Sequence, residues 1–300
     1  MNKEQLKEED MKQKIGWAGL GRMGIPMSQR LIKEGYPLTV YNRITGKDDI
    51  LVSQGAMVAL SPAELIQQTE VIIIMVSDDQ AVREIFSGEK GLLNAGTNDK
   101  IIINMSTVSP EISRDMALLC LKQSIYYLDA PVSGSVKQAE SGELVIMAGG
   151  DEVIFNRAKP LLDNLGKLTI RVGDTGSGNA AKLAVNTLLG IISQGLSESV
   201  IFARNNGIEI QDLLNIINTS ALGSTYIKIK GDAILNNRYQ AAFALKHIVK
   251  DLNLARESGL NTPLGETAYL TFKKAESEYG EEDIIAIIKK IENSSFQSNS

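Results

Sequence analysis

The chain has 300 residues, enough for one large domain or two ordinary ones, and a hydrophobic content of 43% is ample for a core. A formal net charge of −5 excludes the broad basic footprint of a nucleic-acid binder. One cysteine, Cys120, excludes an internal disulfide and points to a reducing, cytoplasmic setting. One histidine, His247, leaves too little for a histidine metal cluster or a Ser-His-Asp triad, so no metal is expected.

Residues 1–13 are charged and lack an apolar run, so they read as a disordered extension rather than a signal peptide, with Met11 a second candidate start. From 14 onward, short apolar runs alternate with helical patterns. Strands are expected at 14–18, 38–41, 71–76, 101–105, 126–130, 144–148 and 168–172, with a helix at 25–34 closed by Gly35. The unbroken run Val71-Ile72-Ile73-Ile74-Met75-Val76 suits a parallel strand covered on both faces. Strands separated by helices imply right-handed βαβ units in a doubly wound sheet. After Val172 the character changes. A glycine-rich loop at 173–178 is followed only by helical patterns, at 179–205, 209–219, 245–258, 263–277 and 282–291. Residues 293–300 read as a polar tail. The fold class is therefore α/β, a doubly wound, mainly parallel sheet over 14–175, followed by an all-α domain over 176–292.

The stretch from Gly178 to Arg204 contains no outright helix breaker, and apolar residues cover almost every side, so it reads as one long buried helix. Asn186, Ser193 and Gln194 make it too polar for a membrane span, and no membrane partner is expected. Lys182 is a lone charge near its start, with none following until Glu198, and Asn186 shares its face one turn on. A buried lysine is costly unless it is paired or used. On this stretch alone, a working amine and an ammonium reaching solvent from the helix start are both open.

Gly19-x-Gly21-x-x-Gly24 lies between a predicted strand and a predicted helix. In that context the first glycine makes the turn, the second admits a pyrophosphate, and the third lets helix and strand pack closely. The amides of Leu20, Arg22 and Met23 and the helix dipole would complete a dinucleotide-binding, Rossmann-type loop. At the end of the second strand stand Asn42 and Arg43, with Lys47 nearby, where NAD sites usually carry an acid. Arg43 would pair with a 2′-phosphate, which favours NADP (NADPH), although a solvated arginine satisfies the same pattern. Val76, Ser77 and Asp78, and also Thr107, follow strands and so fall on the ligand-binding edge, where they serve equally as helix N-caps. Ser109-Pro110-Glu111 is a helix start. The loop Asp129-Ala130-Pro131-Val132-Ser133-Gly134-Ser135 offers a hydroxyl and amides to a substrate carboxylate, and a plain turn accounts for its spacing as well.

Four motifs in order now carry a resemblance: Gly19 to Gly24, Asp129 to Gly134, Gly178-x-x-x-Lys182-x-x-x-Asn186, and Lys250-Asp251. Together they resemble the β-hydroxyacid dehydrogenase family over about residues 14–292. Tyr41-Asn42-Arg43 and the segment from Leu245 to Asp251 look most like its NADPH-dependent glyoxylate/succinic semialdehyde reductase branch. The resemblance implies that Lys182 is the catalytic lysine and that Asn186 helps to hold it and the substrate. It places Ser133, Gly134 and Ser135 on the substrate carboxylate, Thr107 between nicotinamide and substrate, Lys250 on the cofactor, and Asp251 beside the substrate as a polar partner. His247 then has a structural role. The chain departs from the branch at Ile44, where a threonine is usual and Thr45 follows one later, and has Tyr226, Ile227 and Lys228 where a substrate-facing aromatic aligns. The expected activity is reduction of a small aldehyde acid, with Lys182 donating the proton. Oxidation of a hydroxy acid of the 3-hydroxyisobutyrate type is the alternative, an imine reductase would lack the lysine, and a silent NADP-binding module is the reading from another class. The long apolar helices of the second half suggest a homodimer or homotetramer.

Overall fold

A computed structural model describes residues 12–44 and 46–297. Most of the expected N-terminal extension, Thr45 and the last three residues lie outside the described residues. The chain divides into two compact units, one ending at Lys182 and the other beginning at Leu183. The expected boundary was near 175; the division falls a few residues later, within a helix.

The strands of the first unit are β1 (Ile15–Ala18), β2 (Leu38–Tyr41), β3 (Met57–Val58), β4 (Val71–Ile74), β5 (Ile101–Asn104), β6 (Tyr126–Asp129), β7 (Val132–Ser133), β8 (Leu144–Gly149) and β9 (Gly166–Gly173). Among the described residues they form one sheet in the order β3-β2-β1-β4-β5-β6-β8-β7, with β9 also paired to β8. Its helices are α1 (Gly24–Lys33), α2 (Asp49–Val52), α3 (Pro62–Gln68), α4 (Asp79–Ser87), α5 (Pro110–Leu121), α6 (Val136–Ser141) and α7 (Glu152–Leu162). Alternation along β4 explains the layers. Val71 and Ile73 join one apolar cluster with Met27 and Leu31 of α1, while Ile72 and Ile74 join the other with Leu65 of α3 and Ile112 of α5. Both faces are therefore covered, and a continuous apolar run is what such a strand requires.

β1 pairs in parallel with β2 and β4, and β5 with β4 and β6. The direction reverses where β8 meets β6 and β7, which are antiparallel to it. Residues 134–143, between β7 and β8, hold only the short α6, whereas a parallel crossover needs roughly a dozen residues or more. β8 and β9 return to parallel pairing across α7. Cys120 of α5 is fully buried, and burial pushes its thiol up to about 12.

The remaining helices are α8 (Ser177–Asn205), α9 (Ile210–Thr219), α10 (Thr225–Leu235), α11 (Leu245–Glu257), α12 (Pro263–Tyr279) and α13 (Ile287–Gln297). By length and hydropathy α8 would suffice to cross a membrane. Within the second unit, however, its Leu189 and Ile191 pack with Ile248, Leu252 and Phe272, and its Leu196 and Val200 with Leu214, Ile234 and Ile285. α13 continues to Gln297, past Asn293 where the tail was expected to start. α10 was not foreseen. Its sequence, Tyr226-Ile227-Lys228-Ile229-Lys230-Gly231, alternates apolar and basic residues, and tertiary contacts fix it as helix instead. The Lys230 ammonium is 2.6 Å from Asp283 Oδ1 in a buried pair, and a Cβ on Gly231 would sit 2.6 Å from Leu214. Asp283 also accepts the Ala242 and Ile285 amides, so neither charge is left uncompensated.

Candidate functional site

The glycine-rich loop leaves β1 and enters α1 with three distinct constraints. Gly19 has φ +103° and backs onto Met75, whose carbonyl would be 2.2 Å from any Cβ. A Cβ on Gly24 would lie 2.1 Å from the Gly19 carbonyl, whereas Gly21 meets nothing within 4 Å. The first and third glycines thus serve the turn and the helix–strand packing, and the second keeps the outer face of the loop open. Gly21 and Arg22 are exposed, and Met23 is half-buried. α1 has no side-chain cap and no acid in its first turn. Elsewhere in the unit α3, α4, α5 and α7 are capped by Ser61, Asp78, Ser109 and Asp151. An uncapped helix start facing an open glycine loop fits a pyrophosphate.

Asn42 braces this loop from beneath. Its Oδ1 accepts the Leu20 amide at 3.0 Å, and its Nδ2 donates to the Ile44 carbonyl at 2.6 Å. Arg43 is exposed and pairs at 3.0 Å with Glu84 of α4, an acid that the sequence reading did not bring to this position. The loops after β4 and β5 are joined: Val76 N–H donates to Ser106 Oγ at 2.9 Å, and Ser106 N–H to the buried Asn104 Oδ1. Ser77 donates to Asp78, whose other oxygen caps α4 at the Ala81 amide. Thr107 is half-buried at the same edge. The amide of Val108 donates to Asn179 Oδ1 on α8 at 3.0 Å, and Ser109 caps α5 as its sequence suggested.

Lys182 is on α8, and only 9% of it is exposed. The head of that helix is seated on Asp129. Gly176 N–H donates to Asp129 Oδ1 at 2.7 Å and Asn179 N–H to Oδ2 at 2.8 Å. Burial raises the Asp129 pKa, and the amides of Gly176, Asn179 and Gly178 oppose the rise. On the following loop Ser133 is half-buried in β7 and Gly134 is exposed with φ +147°. Ser135 is committed elsewhere, since both its amide and its hydroxyl donate to Gln138 Oε1 in the capping box of α6.

In the second unit Asn186 and Asp251 are both buried. Asn186 Nδ2 donates to Asp251 Oδ2 at 2.6 Å. Lys250 Nζ lies 3.0 Å from Oδ1, an ion pair without hydrogen-bond geometry, so that oxygen keeps unused acceptor capacity. A carboxylate only accepts, which fixes the Asn186 amide with its NH2 toward Asp251. Burial among its neighbours lowers the His247 pKa, with Asp251 opposing and Lys250 and Lys246 assisting. Of the three residues aligned with a substrate-facing aromatic, the Tyr226 hydroxyl is 2.6 Å from Ser193 Oγ, Ile227 packs in the core, and Lys228 is exposed. Among the described residues no group of His, Cys, Asp or Glu is arranged to hold a metal ion. The sequence reading missed Glu84, Asn104, Ser106 and Asn179. All four carry ordinary polar side chains; Asn104 and Ser106 stand at or just after a strand end, whereas Glu84 and Asn179 lie within helices and gave no local signal.

Residues 14–173 match the family model described as the NAD-binding domain of 6-phosphogluconate dehydrogenase. Residues 176–291 match the one described as NAD-binding of NADP-dependent 3-hydroxyisobutyrate dehydrogenase. The chain belongs to the β-hydroxyacid (3-hydroxyisobutyrate) dehydrogenase family. As a β-hydroxyacid dehydrogenase it is an NAD(P)-dependent oxidoreductase, whose NAD-binding domain model spans the sheet and the glycine-rich loop. It is 36% identical over 282 residues to glyoxylate/succinic semialdehyde reductase 1 of Arabidopsis thaliana, covering 92% of this chain and 98% of that one. Among solved structures it is similar to Mycobacterium tuberculosis 3-hydroxyisobutyrate dehydrogenase with L-serine, with TM-score 0.87 and 28% identity over 94% and 99% of the two chains. It is also similar to Psf3 in complex with NADP+ and 2-OPP, with TM-score 0.83 and 25% identity over 92% and 99%.

Proposed function

We propose that this dehydrogenase is an NADPH-dependent reductase of small aldehyde acids, of the glyoxylate or succinic semialdehyde type. The observation that carries the reading is a lysine buried near the head of α8, on a helix start anchored to the end of β6. Bound NADPH supplies the hydride. The amides of Gly21 to Gly24 receive the pyrophosphate, and Val76 to Asp78, Thr107 and Lys250 provide the further cofactor contacts that the family resemblance implies. Arg43 takes the 2′-phosphate. Its present partner Glu84 is exposed, and such surface pairs are worth about 0–1 kcal/mol, so exchange for a phosphate dianion is cheap. Ser133 and the Gly134 amide receive the substrate carboxylate, because Ser135 is held by its cap. Lys182 stabilises and protonates the alkoxide oxygen as it develops, while Asp251 fixes the amide of Asn186. The same groups in reverse would oxidise a hydroxy acid. The likeness to the Mycobacterium tuberculosis dehydrogenase favours that second direction.

We further propose that the chain self-associates. α8 leaves Val185, Leu188, Ile192, Gly195, Ser199 and Phe202 along one face at alternating steps of three and four, with Leu188 and Phe202 more than half exposed. Sedimentation of Phe202→Glu beside the wild type tests this: the wild type is expected to run as a dimer or larger and the variant to dissociate. A monomeric wild type would refute it.

For the chemistry, Lys182→Ala is expected to fold and to bind NADPH as the wild type does while kcat falls by roughly 10²–10⁴-fold, the usual contribution of general acid catalysis. A kcat within a few-fold of wild type would show that Lys182 serves only the helix. For the cofactor, Arg43→Asp is expected to lower the ratio of NADPH to NADH affinity by at least about tenfold, or 1.4 kcal/mol. Equal loss for both would show that Arg43 does not read the 2′-phosphate.

A further inference from the structure

The helix caps of the first unit fall into two kinds. α3, α4, α5 and α7 are capped by the residue immediately before them, Ser61, Asp78, Ser109 and Asp151. A cap of this local kind steadies a helix but does not say where the helix lies. α8 is different. Its first amides are received by Asp129, a fully buried carboxylate that ends β6 almost fifty residues earlier in the chain. A cap brought from the sheet fixes the helix to the sheet.

A second tether acts on the same turn. The fully buried Asn179 accepts the Val108 amide at 3.0 Å, next to Thr107, and donates from Nδ2 to Ser113 Oγ of α5 at 3.1 Å. The seat has little slack. A Cβ on Gly178 would lie 2.4 Å from the Met147 carbonyl, and one on Gly149 would lie 2.6 Å from Asp129 Oδ1. Lys182 follows Asn179 by three residues and so shares its side of the helix. Rotation or sliding of this first turn therefore carries the amine with it.

We infer that Asp129 and Asn179 are positioning residues for the reaction: together they set the rotation and depth of the first turn of α8, and through it the place of the Lys182 amine at the ligand-binding edge of the sheet. This rests on the reading that Lys182 carries the chemistry. Two carboxylate oxygens accept two amides. Asparagine at 129 would turn an NH2 toward one of those amides and release it. Alanine at 179 keeps its own amide on Asp129 but cuts both side-chain tethers.

The test compares Asp129→Asn, Asn179→Ala, Lys182→Ala and Ser61→Ala, the last removing an ordinary local cap. Each is measured by thermal melting, NADPH titration, and kcat and KM for one aldehyde acid. Asp129→Asn is expected to bind NADPH normally and to keep KM within about threefold, while kcat falls by roughly 10²-fold, the scale of a misplacement near 1 Å. Asn179→Ala is expected to show the same split more weakly, and Ser61→Ala to lose stability with kcat unchanged. Wild-type kcat in both Asp129→Asn and Asn179→Ala, beside a collapsed Lys182→Ala, overturns the inference and leaves the lysine mechanism standing. Wild-type kcat in Lys182→Ala removes the reading and the inference together. If Asp129→Asn does not fold, Asn179→Ala decides: lowered kcat at unchanged KM supports the inference, and unchanged kcat overturns it.

Discussion

The structure of the first unit depends on one buried carboxylate receiving the amides of a helix start. Removing Asp129 from water penalises its charge, and the pKa rises accordingly. The penalty is offset by the amides at the positive end of a 29-residue helix, which need an acceptor as much as the carboxylate needs donors. The surrounding polar groups are satisfied in turn. Asn104 donates to the Tyr127 hydroxyl, and Ser113 and Asn104 both temper a tyrosine whose pKa is raised by burial and by the Asp129 charge. A connected network of this kind tolerates few alternative arrangements. It ties together β5, β6, α5 and the head of α8, elements that carry or adjoin Thr107, the Ser133 loop and Lys182 in the chain.

Much of this was legible from residue order. The unbroken apolar run of β4, buried on both faces, and the pattern Gly19, Gly21, Gly24 follow from local geometry, so the parallel sheet and the dinucleotide loop could be read from the sequence. So could the isolated Lys182, since a lone cation in an apolar run is conspicuous. What could not be read depends on partners distant in the chain. Nothing near Asn42 says that its amide braces Leu20 rather than facing a ribose, and nothing near Arg43 announces Glu84. Ser135 offers a hydroxyl to any ligand by spacing, yet Gln138 three residues on completes a capping box that claims it. The helix α10 escaped because its local pattern is ambiguous, and the Lys230–Asp283 pair that fixes it spans 53 residues.

Arg43 and Lys182 pose opposite electrostatic problems. Arg43 is exposed, screened and paired only at the surface with Glu84. Lys182 is buried near the head of a helix whose far part contributes Leu196 and Val200 to an apolar cluster of the second unit. Within that second unit, Asp251 sits between Asn186 and Lys250 and imposes an orientation on the amide without itself being exposed.

The most direct measurement is a matrix of kcat/KM values for the wild-type protein. The substrates are glyoxylate, succinic semialdehyde, tartronate semialdehyde, methylmalonate semialdehyde and an aldehyde without a carboxylate, each with NADPH and with NADH. The same matrix includes oxidation of 3-hydroxyisobutyrate with NADP+ and NAD+. The account predicts that at least one aldehyde acid is reduced with NADPH at a kcat/KM well above that with NADH, and that the aldehyde lacking a carboxylate is turned over poorly. Preference for NADH, indifference to the carboxylate, or activity confined to oxidation of 3-hydroxyisobutyrate would contradict it.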